Sequence, residues 1–309
     1  MIEKFEGCLV GLAVGDALGA PLEFLSRDQV QIRHGTVTEM IGGGWLDVRA
    51  GETTDDTAMA MALAESLVAN RGFEPQDVLE RYLAWYRKGP KDIGSTVRAA
   101  LRWVDNGGEW REAARRAAEV AREGSAGNGA MMRCAPLALL HFQDSEALIR
   151  DVAADARLTH DDARAGAGSA ALAVAIALAL VEKDRRQILE KAYEILEKHS
   201  RYVPNLLPDV ATRKIEHLRP ETYVVDTLEV SLWHFLHAKS FEECLVQTVN
   251  MGGDADTIGA CAGAVAGAYW GIGAIPARWT RPIQERSNLR ALACDLHAIA
   301  TGGAAAPPR

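Results

Sequence analysis

Apolar positions recur along this chain every three to four residues, and the segments that show this spacing are separated by glycine and proline. Residues 5–18 show it first and run into Gly15-Asp16-Ala17-Leu18-Gly19-Ala20-Pro21, which predicts a helix stopped by Pro21 and the glycines. Residues 26–53 lose the pattern and read as a long irregular loop around Gly42-Gly43-Gly44-Trp45; a loop of that length in a compact domain is usually functional. Helical spacing returns over 54–70, where Met59, Leu63 and Leu67 share one face. Further helices are predicted over 75–87, 95–106, 110–123, 145–157, 182–200 and 223–237, with a last one from Pro276 toward Ala300.

Two stretches, 165–181 and 258–273, carry no charge at all. Both are shorter than the ~20 residues of a membrane span and are closely flanked by charges, so they are expected to be helices buried on all sides of a helical core. In the second, Gly259, Gly263, Gly267 and Gly271 recur every four residues, a stripe without side chains that lets a neighbouring helix come very close. Residues 301–309 are expected to be a disordered tail.

Composition agrees with helix: the chain is rich in alanine and leucine and only 6% aromatic, which makes an all-α fold the expectation. Its 309 residues suffice for one large domain or two ordinary ones. A formal net charge of −8 argues against a nucleic-acid or anionic-membrane partner, though not against a nucleotide-sized ligand in a local pocket. The five cysteines are scattered without a CxxC pair and mostly sit among apolar neighbours, where cysteine packs as a small hydrophobe. A reducing, cytoplasmic setting is expected, and the opening Met1-Ile-Glu-Lys-Phe-Glu does not read as a secretory signal.

The candidate chemistry lies at two helix starts. Thr53-Thr54-Asp55-Asp56-Thr57 follows Gly51, and Asp254-Ala255-Asp256-Thr257 follows Gly252-Gly253. Thr54 is a natural N-cap, and acids in a first turn gain ~0.3–1 kcal/mol from the helix dipole, so the first motif alone is explained equally well by capping. The second motif breaks the tie. If the two helix ends meet, Asp55, Asp56, Asp254 and Asp256, with Glu23 as a fifth candidate set among Leu22, Phe24 and Leu25, bring up to five carboxylates together. Desolvating each costs about several kcal/mol, so cations must compensate; one divalent ion leaves about −3 and two leave about −1. All-oxygen ligands select Mg²⁺ or Mn²⁺ over Zn²⁺. A shared site also implies one domain, 1–300, with no cut in the middle. Isoprenoid synthases, which space their acids along a helix face, are a poor match, because Asp55 and Asp56 are adjacent and Met59 stands four residues after Asp55.

Other positions carry weaker signals. Asp92 falls on a loop in Gly89-Pro90-Lys91-Asp92-Ile93-Gly94, and the turn 124–129 precedes Ala130-Met131-Met132-Arg133 without a phosphate-loop pattern. His160, beside Asp161 and Asp162, reads as a surface histidine ahead of a substrate contact. His234 and His237 read as packing or surface residues.

These motifs, in this order, make the chain resemble the ADP-ribosylglycohydrolase family, and within it the dinitrogenase reductase activating glycohydrolases. The resemblance runs through Gly11-Leu-Ala-Val-Gly-Asp-Ala-Leu-Gly, Gly42-Gly-Gly-Trp, Thr54-Asp-Asp-Thr, Gly127-Asn-Gly-Ala-Met-Met-Arg, Thr159-His, Tyr223-Val-Val-Asp-Thr and Thr248-Val-Asn-Met-Gly-Gly-Asp-Ala-Asp-Thr. It implies a compact orthogonal helical bundle with two Mn²⁺ or Mg²⁺ ions. Thr54, Asp55, Asp56, Asp254, Asp256 and Thr257 would be the ligands, Glu23 a ligand or acid/base, and Asp92 a contact to the ribose near the scissile bond. Glu123, Gly127, Asn128, Gly129, His160 and Tyr223 would line the ADP-ribose pocket. The implied reaction removes ADP-ribose from a modified protein side chain, arginine first, with serine or O-acetyl linkages, or a non-catalytic ADP-ribose binder, as the alternatives. Ser95 replaces an asparagine common in near members, and Asp161-Asp162 replaces an asparagine-histidine-proline run.

Overall fold

The computed structural model describes residues 1–120, 126–200, 202, 207 and 210–303. They fold as an all-α protein: α1 (Ile2–Gly19), α2 (Arg27–His34), α3 (Asp55–Asn70), α4 (Pro75–Tyr86), α5 (Ser95–Asp105), α6 (Ala113–Val120), α7 (Ala135–Leu140), α8 (Ser145–Ala156), α9 (Ala163–Val181), α10 (Arg185–Leu196), α11 (Val224–His237), α12 (Phe241–Val249), α13 (Ala255–Trp270), α14 (Ala277–Thr280) and α15 (Arg286–Ala300). No strand occurs among the described residues; only isolated bridges do, and two of these tie loops around the acidic motifs.

The centre of the fold is an antiparallel pair, α1 against α13. The stripe Gly259, Gly263 and Gly267 meets a matching stripe on α1, Gly15, Gly11 and Gly7, each glycine facing the backbone of its counterpart so closely that a β-carbon on either would run into a carbonyl. Backbones can approach this far only where neither helix has a side chain. The sequence pattern predicts a gripped helix; its partner is α1, which carries a matching glycine stripe of its own. Beyond the charged first turns of α1, both helices are apolar on nearly every side, Asp16 and Asp256 excepted, and buried nearly throughout. Among the described residues two helical stretches, Ile2–Leu22 and Ala163–Val181, are long and apolar enough to cross a membrane, and the fold buries 100% and 78% of the most apolar 18-residue window in each.

Several boundaries differ from the sequence expectation. The stretch 26–53 contains α2, a polar helix with one buried residue, Val30, and hence without an apolar stripe to detect. Its signal is local: Ser26 accepts from the Gln29 backbone while the Gln29 side chain accepts from the Ser26 backbone, a capping box. The helix predicted over 110–123 is a short 3₁₀ turn, Trp110–Glu112, followed by α6. Glu123 lies outside the described residues. Residues 129–133 form turns, with helix beginning only at Ala135. The last helix is broken into α14 and α15. Four of the five free cysteines are buried.

Candidate metal centre

The first acidic motif is shaped from outside its own helix. Asp16 of α1, fully buried, accepts from both backbone and side chain of the α3 start: Thr54 N at 3.0 Å, Thr57 N at 3.1 Å and the Thr57 hydroxyl at 2.5 Å. It caps α3 in place of Thr54, because it fills the role that a side chain at the N-cap would otherwise take. The Thr54 hydroxyl is thereby released and donates to Asp56 Oδ2 at 3.0 Å. Asp55 accepts from the Gly94 backbone at 3.2 Å, which ties it to the loop carrying Asp92.

The second motif is set by two glycines with positive φ, Gly252 (70°) and Gly253 (67°), a conformation that costs glycine little. This turn lets Gly253 N donate to Leu25 O and Gly253 O accept from Phe24 N, both at 2.7 Å, while Asp254 N donates to Pro220 O at 2.9 Å. The exchange with residues 24–25 delivers Glu23 to the start of α13. Oxygens of Glu23, Asp254 and Asp256 lie within 4.8 Å of one another, and all three residues are buried. Trp45 donates its indole N–H to Glu23 Oε2 at 2.5 Å, so the glycine-rich loop holds this carboxylate. The Thr257 hydroxyl donates to Asp56 Oδ2 at 3.4 Å, and the two halves are one site.

Burial raises the affinity of these acids for protons. It pushes Asp16 and Asp254 up to about 6 and Glu23 up to about 8, and it drives Asp55, Asp56 and Asp256 well above the usual carboxylate range, with their neighbours' charges adding to the effect. Asp92 is raised too, again chiefly by burial. Oδ1 of Asp56 is buried without a hydrogen-bond partner among the described residues. A buried carboxylate oxygen left bare, amid acids that mutual repulsion keeps from ionising together, is what a bound hard cation would resolve. The oxygen-only donor set fits such an ion.

A cavity of about 520 Å³ opens from the acids. Glu23, Asp55, Asp92, Asp254, Asp256 and Thr257 line one part, and Gly127, Asn128, Gly129, His160 and Tyr223 line another. Thus the predicted positions among the described residues converge, with Thr54 and Asp56 buried behind the acidic wall. Asn128 links the two parts, donating from its side-chain amide to Asp254 and to the Thr227 hydroxyl. Its turn is paired to the 222–224 segment through Asn128 N to Thr222 O (3.1 Å) and Val224 N to Ala126 O (3.0 Å).

His160 is a correction to the surface reading: it is 2% exposed and faces the cavity. Its acidic sequence neighbours give no sign of this, because the ring is packed against Gly127 and Gly129 of a distant turn, with Arg133 behind its neighbour Thr159. His234 is buried and His237 stacks on Trp233, as packing residues would. The unusual Asp161-Asp162 pair also has a role. Asp162 caps α9 and grips Arg164 with both oxygens (2.9 and 2.7 Å), directing that guanidinium over the Tyr223 ring. Ser95 starts α5 at the cavity wall. Asp16, Trp45, Thr227 and Arg164 are contributors that sequence reasoning missed; for Asp16 the available signal was an acid inside an otherwise apolar helix.

The comparisons agree with this geometry. The ADP-ribosylglycohydrolase family model matches residues 1–305. ADP-ribosyl-[dinitrogen reductase] glycohydrolase of Rhodospirillum rubrum is 35% identical over 88% of this chain and 87% of its own length. ADP-ribosylarginine hydrolase Tri1 of Pseudomonas putida is 31% identical over 96% and 78%, and human ADP-ribosylhydrolase ARH3 is 27% identical over 96% and 94%. The solved structure of an ADP-ribosylglycohydrolase-related protein complex superposes with a TM-score of 0.78, at 37% identity, over 97% of this chain and 98% of that one. An acid cluster assembled from two helix starts, a cavity leading from it and a match along nearly the whole chain lead to one conclusion: this chain belongs to the ADP-ribosylglycohydrolase family and is an ADP-ribosyl glycohydrolase.

Proposed function

We propose that this chain removes ADP-ribose from the arginine side chains of modified proteins, using two Mn²⁺ or Mg²⁺ ions. The observation that carries the reading is the concentration of Glu23, Asp55, Asp92, Asp254 and Asp256 on one wall of the cavity. A guanidinium leaving group is a cation, and that wall is the part of the cavity where a cation is stabilised and an anion is not. The name of one relative, an ADP-ribosylarginine hydrolase, supports the same linkage.

Asp55, Asp56, Asp254 and Asp256, with Thr54 and Thr257, would hold the ions, and Glu23 stands close enough to join them. Bound there, the ions would supply an electrophile for ribose oxygens and a water of lowered pKa. The protein's own share is positioning and proton transfer. Asp16 and Trp45 fix the acids from behind. The 127–129 turn, His160 and Tyr223 would seat the ADP-ribosyl group, with its scissile C1–N bond toward the acidic wall. Asp92 or Glu23, both held above ordinary carboxylate pKa, would move the proton as the arginine nitrogen departs or the water attacks.

Incubating the purified chain with proteins or peptides bearing defined ADP-ribosyl-arginine, ADP-ribosyl-serine or O-acetyl-ADP-ribose, with Mn²⁺, with Mg²⁺ and with chelator, tests the reading. Release of ADP-ribose from arginine in the metal-containing arms alone is the expected result. Turnover restricted to serine or O-acetyl linkages would replace the substrate, and tight ADP-ribose binding without turnover on any linkage would make the chain a binder.

A further inference from the structure

Behind the 127–129 turn lies a buried cation that the reaction does not use. Arg133 is 0% exposed, and each nitrogen of its guanidinium has an acceptor. Nε donates to Asp155 Oδ2 at 2.9 Å, one terminal nitrogen donates to Gly129 O at 3.0 Å, and the other donates to Asp155 O at 2.9 Å and to Thr159 Oγ1 at 3.0 Å. Tyr82 donates to the second Asp155 oxygen at 2.8 Å, completing that carboxylate's partners. A buried arginine–aspartate pair satisfied on every side adds little net stability by itself. It does fix the geometry of what it touches, and it touches Gly129, which lines the cavity, and Thr159, the residue before the cavity-lining His160.

Thr159 passes the constraint on. Its hydroxyl oxygen accepts from Arg133 and lies 2.8 Å from His160 Nδ1. Thr159 is fully buried, so its hydroxyl hydrogen needs an acceptor. Among the described residues the acceptor within reach is His160 Nδ1. If Nδ1 accepts, a neutral ring carries its hydrogen on Nε2. That edge of the ring faces the 127–129 turn: a β-carbon on Gly129 would lie 3.1 Å from Cε1 and 3.4 Å from Nε2.

We propose that Arg133, acting through Thr159, is a positioning residue that fixes His160 in the Nε2–H form, and that this N–H donates to an acceptor atom of the ADP-ribosyl group. The proposal rests on the ADP-ribosyl reading above. Neutrality is secured by the same surroundings, since burial and the Arg133 charge push His160 down to about 3. Asp162 pulls the other way but already receives two donors from Arg164. The cavity therefore offers a hydrogen-bond donor with no full charge at this point, which selects a ligand with an acceptor there and disfavours one with a donor.

Proton–nitrogen correlation spectra of protein labelled with ¹⁵N-histidine, near neutral pH, test it, with His160→Gln identifying the His160 signals. Wild type is expected to show a protonated Nε2 and a bare Nδ1, and the Nε2–H signal is expected to move when ADP-ribose is added. Thr159→Val should mix the two tautomers and weaken ADP-ribose binding roughly tenfold, mainly as a rise in KM rather than a fall in kcat, while Thr159→Ser restores both. A wild-type His160 with hydrogen on Nδ1, or a folded Thr159→Val protein with an unchanged tautomer, overturns the Arg133–Thr159 relay. ADP-ribose that binds by calorimetry without moving the Nε2–H signal overturns the donor role. No ADP-ribose binding by wild type at all would instead overturn the functional reading, and the spectrum would still decide the tautomer.

Discussion

The hydroxyl of Thr257 lies 3.4 Å from Oδ2 of Asp56, across 201 positions of sequence. Thr54 donates to the same oxygen, so Asp56 has one oxygen held by two hydroxyls and the other, Oδ1, bare. A cation bound there would draw on both helix starts at once. Asp55→Ala and Asp254→Ala, one from each half, are therefore each expected to abolish tight metal binding and hydrolysis together. Elemental analysis of the dialysed variants checks this; two ions retained by either would remove that residue from the ligand set.

Asp16 is expected to matter without meeting substrate. Asp16→Asn keeps the volume but replaces an oxygen that accepts from Thr57 N and its hydroxyl with a group able to point N–H at them. Leaving such buried partners mismatched costs about 1–3 kcal/mol, and disturbing the support of a metal site typically weakens it about 10–100-fold. Thermal unfolding and metal titration measure the two effects; wild-type values for both would show that α3 is capped well enough without this carboxylate.

Stability of the metal-free chain should fall as pH rises. Burial lifts Asp16 and Asp254 from 3.8 to about 6 and Glu23 from 4.5 to about 8, so the folded state binds more protons than the unfolded state between these limits. Stability is then fully present below the unfolded values and is lost as pH climbs through the folded ones. In chelator the melting temperature should decline from about pH 5 to about pH 8, and Mn²⁺ should flatten or reverse the trend, because a cation favours the ionised acids. A chelated protein that grows more stable over that range would contradict the buried acid cluster.

Gly259→Ala, far from any solvent, should be among the most damaging single-methyl additions. Its β-carbon would strike the Gly15 carbonyl, which is backbone and has no rotamer to escape into. Overpacking of this kind costs ~1–3 kcal/mol or more. Denaturant unfolding measures the loss, and metal titration should show weaker binding too, since Gly15 adjoins Asp16 and Gly259 follows Thr257 within one turn of α13. Gly273→Ala, where an added β-carbon meets nothing within 4 Å, is the control.

The acids were legible because their chemistry is local: carboxylates and hydroxyls at glycine-led helix starts announce themselves whatever surrounds them. The long apolar helices were legible for the same reason, through their unbroken lack of charge. Features set by a remote partner were not. His160 has acidic neighbours in sequence and an arginine-built wall in space, while α2 has a helical signal in its cap but none in its polar face. Asp16 sat in plain view inside α1, yet its function depends on a loop that the sequence could not place against it.

The glycine seam between α1 and α13 also sets an order of events during synthesis. Helix α1 is one of the most apolar in the chain, and the surface that covers it emerges only after residue 255. At ~5–20 residues per second, α1 waits on the order of ten seconds or longer for its partner. Until then its smooth, side-chain-free face is open to any other helix or to a membrane. The seam that later brings both halves of the acid cluster together therefore leaves the newborn α1 in need of shelter, and no metal can be captured by the assembled cluster until the start of α13 has been made.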